Sequence, residues 1–78
     1  MKSDKIKHVL FYTRHGCHLC DDAAAVLRTH GVAYEEVDID DHPDLLERFD
    51  TCVPVVEING VVRFRGRVDS RLLRRFLR

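Results

Sequence analysis

At 78 residues the chain has room for one domain at most, taken here as residues 1–78, near the lower limit for folding on a single core. Its 45% hydrophobic and 33% charged content is that of a globular protein and excludes a disordered composition. The 13 basic and 13 acidic side chains cancel, and no apolar run approaches the roughly 20 residues of a membrane span, so neither a nucleic-acid nor a membrane partner is expected.

The opening MKSDKIKHVLFYT has the lysines and apolar stretch of a secretion signal, but no small-residue cleavage site follows, and Arg14 and His15 cut the stretch short. It reads better as a strand. Ile6 to Thr13 is β-branched and aromatic, and Val9 to Tyr12 is continuously apolar, as in a strand covered on both faces. Arg14-His15-Gly16 breaks it. From Cys17 the pattern turns helical, with Leu19, Ala23, Val26 and Leu27 as the apolar stripe and Gly31 as the stop.

Ala33 to Ile39 reads as a second strand carrying Tyr34, Val37 and Ile39. A short helix then starts at Asp41 or His42 with Pro43 in its first turn, and buries Leu45, Leu46 and Phe49. Pro54 precedes a third strand, Val55 to Ile58. Asn59-Gly60 is a two-residue hairpin turn into a fourth strand with Val61, Val62 and Phe64. Gly66 ends the hairpin, and Asp69 or Ser70 caps a last helix with Leu72, Leu73, Phe76 and Leu77 as its stripe.

The order β-α-β-α-β-β-α predicts an α/β fold: a mixed four-stranded sheet with helices on both faces. Strands joined through a helix are expected to be parallel, and the final hairpin antiparallel. In such a sheet, chemistry sits beyond the carboxyl ends of the strands, which is where Cys17 falls.

Cys17-His18-Leu19-Cys20 lies at this strand-to-helix junction. A thiolate, not a thiol, attacks a disulfide, and the free N–H groups and dipole of a helix start stabilise negative charge. Cys17 is therefore expected to be the acidic, attacking thiol. Cys20, three residues on, is expected on the same face, less exposed, ready to attack a mixed disulfide at Cys17. Arg14 and His18, if protonated, favour the thiolate, whereas Asp21 and Asp22 oppose it. Three cysteines do not make a disulfide framework. Without an export signal, they point to a reducing compartment, the cytoplasm.

With these motifs in view, the chain resembles the glutaredoxin branch of the thioredoxin superfamily. The likeness is greatest to short bacterial glutaredoxin-like proteins with a Y-T-R-x-G-C-H-L-C start and a V-D-I-D second strand. Here these are Tyr12-Thr13-Arg14-His15-Gly16-Cys17-His18-Leu19-Cys20 and Val37-Asp38-Ile39-Asp40, and the resemblance runs roughly from Val9 to Leu77. It implies a thioredoxin-like fold and a thiol–disulfide oxidoreductase acting on protein or glutathione mixed disulfides. It implies Cys17 as nucleophile and Cys20 as resolving cysteine. Cys52-Val53-Pro54 matches the family's Thr-Val-Pro, whose proline is cis and whose preceding backbone pairs with the thiol substrate. Arg14 falls where a lysine often meets the glycine carboxylate of glutathione. Gly66, with Val68 and Asp69, falls near the Gly-Gly-x-Asp segment that holds its γ-glutamyl end. Three departures leave the substrate open: Thr51 where a basic residue is common, Arg65-Gly66 for the glycine pair, and His18-Leu19 for Pro-Tyr. The expected protein is a monomer with no bound cofactor, glutathione as co-substrate, and a disulfide-bearing protein or low-molecular-weight thiol as partner.

Other readings stand beside this one. Cys17, Cys20 and one or two of His15, His18 and Cys52 could hold zinc or an iron–sulfur unit, but there is no second C-x-x-C or zinc-finger histidine pair, and no metal is expected. Cys52 is read first as a small hydrophobe in a threonine's place, and alternatively as a third redox thiol. His15 and His18 read as surface histidines or thiolate-activating cations; His8, His30 and His42 carry no constellation. Tyr12 either packs or lines a substrate groove. Finally, the neutral total hides a division: Glu35 to Asp50 has Arg48 as its lone cation, and Val61 to Arg78 has Asp69 as its lone acid. This is either a pair of solvated faces or a bipolar surface that orients a protein partner, and a noncatalytic interaction domain would use the basic last helix.

Overall fold

The computed structural model describes residues 8–50 and 52–77. In chain order it contains β1 (Val9–Thr13), α1 (His18–Thr29), β2 (Glu35–Asp38), a 3-10 turn (Ile39–Asp41), α2 (Pro43–Phe49), β3 (Val55–Ile58), β4 (Val61–Arg65) and α3 (Ser70–Phe76). The strands form one sheet in the order β2-β1-β3-β4. Ile6, Lys7 and Thr51, to which the sequence reading also assigned places, lie outside the described residues.

β1 is the strand on which the rest is built. It pairs in parallel with β2 and antiparallel with β3, and four of its five residues are buried. Apolar side chains on both of its faces account for this, because each face has a layer to meet. On one face Val9 and Phe11 join Ala23 and Leu27 of α1, Phe64 of β4 and Leu73 of α3. On the other, Tyr12 packs with Ile39, Phe49 of α2 and Val55. Helices therefore cover both faces, as expected. Ring pairs tie the layers together: Phe11–Tyr34 at 5.2 Å, Tyr12–Phe49 at 4.9 Å and Phe64–Phe76 at 6.0 Å between centroids.

The hairpin turn is as the sequence suggests. Asn59 and Gly60 both have positive φ, 53° and 85°, which fits the twist of the two strands. Asn59 also exchanges hydrogen bonds with His8, whose N–H donates to Oδ1 and whose carbonyl accepts the Asn59 N–H. This anchors the turn at the start of β1.

Four details differ from the sequence reading. The second strand runs from Glu35 to Asp38 instead of Ala33 to Ile39, which leaves Tyr34 before it; it stops where the Asp38 carboxylate accepts the Asp40 N–H at 2.9 Å and starts the 3-10 turn. Parallel pairing holds for β1 and β2 but not beyond α2, so β3 runs against β1. A seven-residue helix rises only about 10 Å, and β3 starts where β2 leaves off: Val37 and Val55 flank Tyr12 from opposite sides. Leu19 is 53% exposed; the inward face of α1 is Cys20, Ala23 and Leu27, about 100° of turn away. Likewise Leu73 is fully buried while Leu72 is 44% exposed.

This difference between two leucines of one helix is measurable. Leu27→Ala removes a side chain with no exposure and is expected to cost about 2–5 kcal/mol. Leu19→Ala is expected to change stability by no more than about 0.5 kcal/mol. Urea unfolding of both variants checks this, and equal losses would mean that the face of α1 is misassigned.

Candidate active site

Gly16, at a φ of 75°, turns the chain out of β1 through the left-handed region that glycine adopts freely. The next residue, Cys17, is extended (φ −98°, ψ 109°) and is the N-cap of α1. Its Sγ accepts the Cys20 N–H at 3.1 Å, the place usually filled by a serine, threonine or aspartate oxygen. Sulfur at this point faces the free N–H groups and positive dipole end of a 12-residue helix.

Cys17 is half-buried, and Cys20, one turn deeper, is only 3% exposed. The two are joined as a disulfide with Cα atoms 5.2 Å apart, within the ordinary span of such a bridge. His15 and His18 are exposed, as are Asp21 and Asp22.

Val55 pairs with Tyr12, so the segment before β3 rises beside the end of β1, where Cys17 follows. The Val53–Pro54 peptide is cis and Pro54 is fully buried. Val53 and Cys17 pack against the same core cluster. The Pro54 carbonyl accepts the Gly66 N–H at 2.7 Å, which draws the end of the hairpin to this loop. Gly66, Val68 and Asp69 then form one wall of a groove whose other wall is α1, at Leu19, Ala23 and Val26. Asp69 is the N-cap of α3, with Oδ1 accepting the Arg71 and Leu72 N–H groups at 2.8 and 3.3 Å. Cysteine pair, proline loop and Gly66–Asp69 segment thus meet at one end of the sheet.

Arg14 has a different setting. Its Nε donates to Asp40 at 3.0 Å, and a second guanidinium nitrogen donates to the Asp50 carboxylate at 2.9 Å and carbonyl at 3.1 Å. Two carboxylates already balance the cation expected to meet a substrate carboxylate. These partners come from the acidic stretch, whose abundance was visible in the sequence although its target was not.

Cys52 packs on the opposite face, against the cluster of Phe49 and Val55, and its N–H donates to the Phe49 carbonyl at 2.8 Å. This matches a small hydrophobe in a packed position. Among the described residues no three His, Cys, Asp or Glu side chains converge as metal ligands. Tyr12 is buried against Phe49, and its hydroxyl donates to Glu57 at 3.0 Å. Burial first, and then the Glu57 carboxylate, hold its proton on and raise its pKa above the ordinary 10.0.

The family model described as Glutaredoxin-like domain (DUF836) matches residues 8–78. No curated protein matches the chain. Among solved structures, protein XcR50 from X. campestris is 31% identical over 88% of this chain and 93% of its own, with a TM-score of 0.78. Protein Ne2328 from Nitrosomonas europaea is 25% identical over 94% and 93%, with a TM-score of 0.81. The glutaredoxin-like NrdH-redoxin from Escherichia coli shares the fold at 20% identity over 88% and 93%, with a TM-score of 0.71.

Two measurements follow from this geometry. In the reduced protein, iodoacetamide at neutral pH is expected to label Cys17 well before the buried Cys20; peptide mass spectrometry reads the order, and faster labelling of Cys20 would reverse the assignment. For Tyr12, a folded pKa raised above the unfolded value means a stability contribution intact below pH 10.0 and lost as pH climbs through the folded value. Glu57→Gln is expected to lower the Tyr12 midpoint in an ultraviolet titration but leave it above 10.0, because burial is the larger cause.

Proposed function

Since the chain belongs to the glutaredoxin-like family of thioredoxin-fold proteins, we propose that it is a thiol–disulfide oxidoreductase that reduces protein or glutathione mixed disulfides through Cys17 and Cys20. The observation that carries this reading is the position of Cys17, capping α1 with its sulfur while Cys20 lies buried behind it.

Two exchanges make the cycle. The Cys17 thiolate attacks one sulfur of the substrate disulfide; a Cys17–substrate disulfide forms, and the other substrate sulfur leaves as a thiolate and takes up a proton. Cys20 loses its proton and attacks the Cys17 sulfur, releasing the second substrate thiol and leaving the Cys17–Cys20 disulfide. The substrate has gained two electrons and two protons, and the pair has lost them. An external dithiol, or two molecules of a low-molecular-weight thiol, returns them. The N–H groups at the start of α1 lower the energy of the Cys17 thiolate both as attacking and as leaving group.

Substrate placement follows the geometry around the pair. The Val53 backbone ahead of Pro54 pairs with an extended substrate in the manner of an added strand. Gly66, Val68 and Asp69 form the far wall against which the substrate lies. Arg14, balanced by Asp40 and Asp50, favours a protein disulfide over glutathione as the main substrate. The E. coli NrdH-redoxin, which shares this fold, is a glutaredoxin-like protein with a thioredoxin-like activity profile. No helix among the described residues is long and apolar enough to cross a membrane. We read the protein as a cytoplasmic monomer that binds no cofactor and has glutathione as an optional co-substrate.

The test is a pair of serine variants. Cys17→Ser is expected to reduce disulfide turnover to the uncatalysed background, and Cys20→Ser to accumulate a mixed disulfide visible by intact-protein mass spectrometry. Wild-type turnover by Cys17→Ser would end the oxidoreductase reading.

A further inference from the structure

The arginines of the C-terminal third are left over from the site just described. Arg63, Arg67, Arg71, Arg74 and Arg75 are exposed, and among the described residues both ion pairs belong to Arg14 instead. Their arrangement is continuous. The groove beside Leu19 reaches Arg67, Asp69 and Arg71; a second depression shares Asp69 and Arg71 and extends to Leu72, Arg74 and Arg75; a third shares Arg75 and ends at Arg63, Phe76 and Val61. A track thus leads from the C-x-x-C helix along α3 to the edge of the sheet.

Two features identify its occupant. First, the large hydrophobic side chains that stand out as exposed, Leu19 at 53%, Leu72 at 44% and Val61 at 47%, each lie in one of the three depressions. Arginine is enriched at protein interfaces, and the aliphatic groups between these arginines give the track apolar contacts to offer beside its charge. Second, the charge is unbalanced. Its carboxylates are Asp22, at the end next to the cysteines, and Asp69, already held by two N–H groups of α3. At the far end, Val56 faces Phe64 and Glu57 faces Val62, so Arg63 is the extra residue of a bulge, and its guanidinium lies 5.3 Å from the Phe76 ring. The bulge aims that cation into the track. A long nucleic acid fits less well, because the opposite sheet edge, β2, presents exposed Glu35 and Glu36.

We propose that this track docks an acidic segment of a protein substrate, carrying aliphatic side chains among its carboxylates and lying next to the cysteine that reacts at Cys17. Arginine forks suit carboxylates, and Leu19, Leu72 and Val61 take the aliphatic groups. The inference rests on the oxidoreductase reading for the reaction at Cys17, and on the track alone for what binds.

The experiment compares two disulfide-linked peptides that differ only in one segment, Asp/Glu with Leu against Asn/Gln with Leu. The acidic peptide is expected to be reduced about tenfold faster at low ionic strength, with the advantage gone near ~1 M salt, where the Debye length is about 3 Å. Arg74→Gln with Arg75→Gln should remove most of the advantage and leave the neutral peptide's rate unchanged. The wild-type salt dependence decides the matter if that variant folds poorly. Fluorescence anisotropy with the serine versions of both peptides separates the two readings. Equal rates and equal binding would overturn the docking site while the oxidoreductase stands. Salt-sensitive binding of the acidic peptide with no turnover of either would do the reverse. Tighter binding of a polythymidine oligonucleotide, or salt-dissolved self-association in sedimentation, would overturn the acidic protein segment as occupant.

Discussion

A single hydrogen bond, from the Cys20 N–H to the Cys17 sulfur, joins the fold of this protein to its chemistry. It exists because two rigid parts meet there. β1 is held between β2 and β3 and buried by layers on both faces, so the point at which the chain leaves the sheet is fixed. α1 is held by Ala23 and Leu27 against that same sheet, so the point at which the helix begins is fixed as well. Three residues, Arg14 to Gly16, are all that lies between the strand and the cap, which leaves the sulfur little freedom. Short connections between well-packed elements hold a reactive atom more accurately than any loop would.

The same end of the sheet brings together parts distant in sequence. The Pro54 carbonyl and Gly66 N–H connect the segment before β3 with the segment after β4, and Val53 shares a core cluster with Cys17. Arg14 ties the exit of β1 to the 3-10 turn and to the end of α2 through Asp40 and Asp50. These pairs are exposed and contribute modestly to stability. Their effect is on charge: Arg14, the permanent cation nearest in sequence to Cys17, is already paired with two carboxylates.

Much of this was legible in the sequence because the relevant signals are local. Asn59-Gly60 dictates its turn by backbone sterics, Pro43 and Gly31 mark helix ends, and the change from a β-branched, aromatic run to an alanine-rich helical pattern puts Cys17 near the helix start. The reading failed where the outcome depends on a rotation of about 100° or on a contact across the fold. Leu19 and Leu72 have helical spacing, but which of two adjacent residues turns inward depends on the sheet below. Arg14 could not be matched to Asp40 and Asp50 because 26 and 36 residues separate them. The antiparallel entry of β3 depended on the length of α2, a boundary that periodicity locates poorly.

The bulge at Arg63 has a bearing on how concentrated solutions of this protein behave. A four-stranded sheet that does not close has two open edges, and each is a template on which a stray strand can grow. Here β4 interrupts its ladder at Arg63 and carries arginines, while β2 is four residues long and lined with glutamates. Like edges repel through their charges, and unlike edges, which attract, meet a break in register within a few residues. A strand-by-strand route to amyloid-like stacking is thereby obstructed at both borders of the sheet.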